Sequence, residues 1–357
     1  MKRHVIAALI AGLAAGGAQA GEVQRDSDRS MILFEDGENY FEFTFTAVKP
    51  DLSGTLPIVG LSSGNIGDKY QNVAIGYKRQ INDRLAFAIT ANEPYGADVT
   101  YVGGTLYPFS GSTAELNTLA ITGLLKYNLT DRISAYGGLR LQSMDGTLTI
   151  LTAGLPPPIP AFYALRVDNN YQLGYVLGGA YEIKKLAMRV ALTYESEIEH
   201  EFSDNTGAPF KVKIPQAVTL HAQSGVAPRT LVFGSIRWQE WTDFRIAPLD
   251  FAGGLVPIAS GPSDIWTYEL GVGHRFSDAW SGALTIGYEP DQGDIVGNLS
   301  GKDGFVSYGI AVKYETEAWE ITTGLRYIDI GSAITTIGSN FSGNHALAAG
   351  FKVGFRF

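Results

Sequence analysis

Two-residue alternation, repeated from end to end, most constrains what this chain can fold into. In the closing stretch HALAAGFKVGFRF, His345, Leu347, Ala349, Phe351, Val353, Phe355 and Phe357 fall on one side. Ala346, Ala348, Gly350, Lys352, Gly354 and Arg356 fall on the other. Successive side chains of a β-strand point to opposite faces, so this is a strand with one apolar face and one small or charged face. In IWTYELGVGHRF, Trp266, Tyr268, Leu270, Val272 and Phe276 likewise oppose Thr267, Glu269, Gly271, Gly273 and Arg275. Leu186, Met188, Val190, Leu192 and Tyr194 oppose Ala187, Arg189, Ala191, Thr193 and Glu195 in the same way. Segments of this kind start near Tyr40, Gln71, Leu85, Leu116, Ile133, Tyr171, Leu186, Ala217, Leu231, Ile265, Ala283, Val306, Ile321 and Ala346. About fourteen tilted strands whose apolar faces end in aromatics are the signature of a transmembrane barrel.

The rival is a soluble β-sandwich. Its outer faces would be polar and its inner faces apolar, which does not explain why Lys126, Arg140, Arg189, Arg237, Arg275, Lys313 and Arg326 keep falling opposite the aromatic-ended face. Beyond residue 20 no run approaches the ~18 apolar residues of a helical span. The 18 Phe, 18 Tyr and 43 Gly suit a sheet with side chains on one face and close backbones elsewhere. The fold class expected is therefore all-β, a transmembrane antiparallel up-and-down barrel of about fourteen strands.

Connection lengths orient such a barrel. Short ones occur at Asn82-Asp83-Arg84, Thr130-Asp131-Arg132, Ile183-Lys184-Lys185, Ala227-Pro228-Arg229, Ser277-Asp278-Ala279 and Glu315-Thr316-Glu317. Long ones occupy roughly 51–69, 97–114, 148–169, 202–214, 248–263, 290–303 and 332–343. Short turns face the periplasm and long loops face outside. The opening MKRHVIAALIAGLAAGGAQA, with Lys2 and Arg3 before an apolar core and Ala18 and Ala20 near its end, reads as a signal peptide over residues 1–20. This places the protein in the outer membrane of a Gram-negative bacterium. Its net charge of −9 disfavours nucleic-acid binding, and the absence of Cys excludes thiolate metal sites.

With the apolar face toward lipid, Arg140, Arg189, Arg237 and Arg326 become lumen groups, along with Glu195, Glu269 and Glu320. These charges either satisfy one another as Arg–Glu ladders or meet a solute. In YESEIEHEF, Glu195, Glu197, Glu199 and Glu201 share one side, a solvated rail or a place for a divalent ion. The loop LTILTAGLPPPIPAFYALRV carries Ile150, Leu151, Leu155, Ile159, Phe162, Tyr163 and Leu165, more apolar surface than an extracellular loop needs. Such surface suits capture of a hydrophobic ligand, or else an inward-folded lid. Pro94 interrupts the third strand within Asn92, Glu93, Pro94, Tyr95 and Gly96. Proline has no N–H to give a ladder, so the strand either bends there or ends at Asn92, and a bend opens a hole in a barrel wall.

The segments DRLAFAITANEPYGAD, AYEIKKLAMRVALTYESEIEHEF and, above all, IPQAVTLHAQSG followed by IRWQEWTDF resemble the FadL-type outer-membrane transporters of long-chain fatty acids and other hydrophobic compounds. The resemblance covers most of the chain. It implies an N-terminal hatch inside the lumen, a kinked third strand as a lateral opening, and a greasy capture site between extracellular loops. On that reading residues 21–38 form the hatch, with Met31, Ile32, Leu33 and Phe34 inside the barrel, and residues 39–357 form the barrel itself. The segment is shorter than hatches common in the family and lacks their Asn-Pro-Ala signature.

The function expected is passive uptake of fatty acids or other hydrophobic compounds by a monomer whose other neighbours are outer-membrane lipid and lipopolysaccharide. A general diffusion porin for small hydrophilic solutes is the alternative. An enzyme is not expected. His200, His221, His274 and His345 lie beside no nucleophile elbow and form no HExxH pair, and GNLSGKD, residues 297–303, has the wrong spacing for a phosphate loop. Catalytic residues, metal and cofactor are all read as none.

Overall fold

The computed structural model describes residues 23–152 and 155–357, so the reading of residues 1–20 as a signal peptide lies outside the described residues. Fourteen antiparallel strands close into a barrel: β1 (Asn39–Asp51), β2 (Tyr70–Gln80), β3 in two pieces (Leu85–Asn92 and Gly96–Thr100), β4 (Thr113–Asn128), β5 (Ile133–Leu151), β6 (Phe162–Ile183) and β7 (Met188–Glu195). They continue with β8 (Ala217–Ala227), β9 (Thr230–Gln239), β10 (Ile265–Arg275), β11 (Trp280–Glu289), β12 (Phe305–Glu315), β13 (Trp319–Ile330) and β14 (Asn344–Arg356). Closure is made by β1 against β14, from Tyr40 opposite Arg356 to Asp51 opposite His345. A closed ladder leaves no spanning strand edge to carry unpaired N–H and C=O groups into hydrocarbon.

The outward face is a band of exposed large apolar side chains, among them Leu173 (67% exposed), Leu270, Leu284, Leu325 and Leu347. In water such a surface would be an aggregation site; against lipid it is the solvated face. Aromatics border it at both ends. Trp280, Tyr314 and Trp319 pack together beside the short turns, and Tyr268 and Tyr288 stack at the opposite end. The inward face carries the charges: Lys126, Arg140, Arg237, Lys313, Arg326 and Lys352 are all buried.

Two long connections differ from the sequence reading. Residues 148–169 are not mainly loop, because β5 and β6 run on as a paired hairpin to Leu151 opposite Phe162. These strands are 19 and 22 residues long, whereas ~10 residues suffice to cross a bilayer, so their outer ends project beyond it. The alternation through Leu148, Ile150, Tyr163 and Leu165 is strand periodicity, and the three prolines mark only the true turn. The carboxylate rail is also divided. Glu195 closes β7 and points into the lumen, while Glu199 and Glu201 lie on a separate hairpin, Ile198–Ser203 paired with Pro209–Ile214. Lys211 bonds to both, and Lys213 sits 3.7 Å from Glu197, so these carboxylates are neutralised by lysines. Among the described residues no group of carboxylates and histidines is arranged to hold a metal ion.

Candidate functional site

β3 is broken where Pro94 stands. Its first piece is laddered on both sides, to β2 as far as Ala74 opposite Asn92, and to β4 as far as Ala120 opposite Asn92. Pairing with β4 resumes at Gly96 opposite Asn117, so Glu93, Pro94 and Tyr95 face only Thr118 and Leu119. Three residues against two make a bulge. The Thr118 hydroxyl fills the lost ladder, accepting from the Tyr95 N–H at 3.0 Å and donating to its carbonyl at 2.6 Å. On the other side the ladder to β2 stops at Ala74 opposite Asn92 and is taken up again only beyond β2, where Gly67 bridges Val99, so the wall between Tyr70–Val73 and Glu93–Ala97 is open.

The N-terminal segment stops this gap from inside. Gly96 donates to the Val23 carbonyl at 2.7 Å, and the Pro94 carbonyl accepts from the N–H groups of Arg25 and Asp26 at 2.9 and 3.2 Å. Asn72 of β2 spans the gap with its amide, 3.3 Å from the carbonyls of Arg25 and Glu93. Asn92 donates to Asp26 at 2.8 Å. The Arg25 guanidinium bonds to Asp98 and lies over the Tyr70 ring, 4.6 Å from its centre. It also rests on Gly96, where a Cβ would come within 2.4 Å of it, so a larger residue there would push the guanidinium off its seat.

Farther along, a short 3₁₀ turn, Ser30–Phe34, fills the barrel's middle with Ile32, Leu33 and Phe34 buried and Met31 partly so. Phe34 lies between two cations, Lys126 at 4.2 Å and Arg189 at 4.3 Å from its ring centre, with Tyr136 edge-on. Ser30 is tied to Asp28, Arg29 to Asp26, and Glu35 sits 3.6 Å from Lys352.

All four lumen arginines are committed to carboxylates. Arg140 and Arg237 hold the two oxygens of Glu195 at 2.6 and 2.5 Å, Arg326 bonds Glu269 at 2.9 Å, and Arg189 bonds Glu182 at 3.0 Å. The lumen charges are thus mutually satisfied.

Above the plug and beside the gap is an apolar cavity of about 190 Å³. Leu116, Met144, Leu148, Leu165, Phe202 and Phe210 line it, with Val23 and the β3 piece Gly96–Val99 at one side. Of the residues read as a capture loop, Leu165 lines this cavity, Ile150 and Tyr163 are buried in the surrounding cluster, and Leu155 and Ile159 pack against it. Leu151 is half-buried, and Phe162 is 63% exposed on the outside. The apolar surface is therefore largely turned inward. The hairpin Ile198–Ile214 is fastened over the cavity by His200, which has no solvent exposure and faces Asn170 at 3.1 Å. Burial holds its imidazole down at about 4, against the raising effect of the Asn170 contact.

Sequence reasoning missed Val23, Arg25, Asn72, Asp98 and Thr118, which hold the plug in the gap. Alternation along β4 places Thr118 inward, but nothing local marks Arg25 as the partner of Asp98.

On the other side of the plug, a cavity of about 100 Å³ between Asp28 and His221 borders a charged vestibule of about 1380 Å³ at the short-turn end. Plug and apolar cluster together leave no room for a wide aqueous pore, which disfavours the general porin.

A family profile described as outer membrane protein transport protein (OMPP1/FadL/TodX) matches residues 30–294. The chain belongs to this family. Its fold is that of a Pseudomonas aeruginosa FadL homologue, with a TM-score of 0.72 and 14% identity over 97% of this chain and 98% of that one. It is similarly close to the Pseudomonas putida toluene transporter TodX, with a TM-score of 0.68 and 15% identity over 97% and 94% of the two chains. The Ralstonia pickettii toluene transporter TbuX gives a TM-score of 0.65 and 13% identity over 96% and 99%. No curated protein sequence matches. The family is one of outer-membrane transport proteins for hydrophobic compounds, not of enzymes.

Proposed function

We propose that this chain takes up a hydrophobic compound passively, holding it in the apolar cavity and releasing it sideways between β2 and β3. One observation carries the reading: the cavity abuts the break in the wall between β2 and β3, and the chain's own segment Val23–Asp26 stops that break. Solute would enter at the outer end of the β5–β6 hairpin, displace Val23–Asp26, and pass Asn92 to Gly96 into the membrane. Energetics favour that exit over the vestibule below. Each CH₂ kept from water is worth about 0.8 kcal/mol, and the vestibule is lined by Asp83, Arg132, Glu182, Arg275 and Glu317. Closure of the barrel supports a monomer, with lipid around the apolar band and lipopolysaccharide around the outer ends.

Replacing Pro94 with Val would return the missing N–H to β3 and let its ladder to β2 run on, in the register that Ala74 opposite Asn92 and Gly67 opposite Val99 already share. In cells with an intact outer membrane, uptake of N-phenyl-1-naphthylamine should then fall to the level of cells lacking the protein, while the barrel still shows heat-modifiable migration. Uptake at the wild-type rate by the laddered variant would rule out sideways release.

A further inference from the structure

The apolar cavity has five acidic or basic side chains at its edge, Arg25, Asp98 and Lys302 partly or wholly buried and Asp68 and Glu115 exposed at its rim. Three are acids and two are bases, so the cavity carries excess negative charge. Its basic groups are already engaged. Arg25 bonds to Asp98, covers the Tyr70 ring and is pinned against Gly96, and Lys302 interacts electrostatically with the buried Glu289. Asp68 and Glu115 are held by neutral donors, Thr100 Oγ1 at 2.5 Å and Asn117 Nδ2 at 3.0 Å.

A carboxylate entering such a space must shed its water, and it needs a cation or several N–H donors in return. Here it would meet an arginine whose charge is spent and three carboxylates that repel it. An uncharged solute asks only for the Leu, Met, Phe and Val surface. We infer that the cavity selects uncharged hydrophobic solutes against their carboxylate analogues, with Asp98 and Glu115 as the specificity-determining residues. Asp98 acts by keeping Arg25 from the ligand, and Glu115 by adding negative charge to the wall. This inference rests on the proposed function, and it narrows the hydrophobic cargo to exclude ionised fatty acids.

The test is binding of dodecanol and dodecanoate at pH 9 to the full-length purified protein, with partition into protein-free micelles subtracted. Wild type should favour dodecanol by about tenfold or more, the scale of a single charge interaction. Asp98→Asn, which frees Arg25, and Glu115→Gln, which leaves every Arg25 contact in place, should each tighten dodecanoate severalfold relative to dodecanol. Glu115→Gln keeps the test open if Asp98→Asn does not fold. Equal or tighter binding of dodecanoate by wild type overturns the inference and leaves the channel reading intact. A dodecanol preference that neither variant reduces overturns the assignment to these two residues. Binding of neither compound overturns the proposed function and the inference with it.

Discussion

Replacing Gly96 with Ala should unfasten the plug without weakening the barrel. The added Cβ would lie 2.4 Å from Arg25 Cζ and 2.5 Å from its Nε and Nη1, where about 3.5 Å is needed, so the guanidinium must leave its seat. Leaving costs the charge-assisted bond to Asp98, about 1.5–3 kcal/mol, and the cation–π contact with Tyr70, about 0.5–1 kcal/mol. Together these are about 2–4 kcal/mol, and since 1.4 kcal/mol is tenfold, the undocked population should rise roughly 30- to 700-fold. The reporters are three amides: those of Arg25 and Asp26, bonded to the Pro94 carbonyl, and that of residue 96, bonded to the Val23 carbonyl. Hydrogen exchange in the reconstituted protein should lose protection at these positions by the same factor. Peptides from Leu85–Asn92, laddered on both sides, should not change. Unchanged protection at the three amides, or a loss spread evenly over the barrel, would refute the claim that Arg25 fastens the plug.

Phe34→Ala removes the ring held between Lys126 and Arg189; docking of the plug should weaken by about 3–4 kcal/mol, seen as more frequent channel openings in planar bilayers. Glu195→Gln leaves Arg140 and Arg237 buried beside a neutral amide and should cost about 3–5 kcal/mol in urea unfolding from lipid vesicles; adding Arg237→Met should return part of it. His200 titrates at about 4 when folded and near 6.5 when exposed, so the hairpin Ile198–Ile214 keeps its full stability above pH 6.5 and loses it as pH falls through 4. The loss is about 2 kcal/mol once solvent screening at the barrel mouth is allowed for, and limited proteolysis of the hairpin across that range should track it. His200→Gln should flatten the profile.

The fate of particular residues shows how much of this protein was legible in its sequence. Lys126, Arg140, Arg237 and Arg326 were assignable to the lumen from alternation alone, since the face a strand side chain takes depends only on its neighbours in sequence. The same local rule marked Pro94 as a break, because a missing N–H is a property of the residue itself. It misled at 148–169, where prolines and apolar residues together read as loop although the alternation continued.

What lay beyond the sequence was who meets whom. Glu195 sits between arginines of β5 and β9, Phe34 between cations of β4 and β7, and Arg25 on Asp98, seventy-three residues away. These meetings depend on the register of every strand pair and on closure of β1 against β14, and a one-residue slip anywhere would exchange inward for outward side chains. Strand number, facing and the site of the break are local consequences of residue type. The stopped gap and the cavity beside it exist only once the ladder has closed around the N-terminal segment.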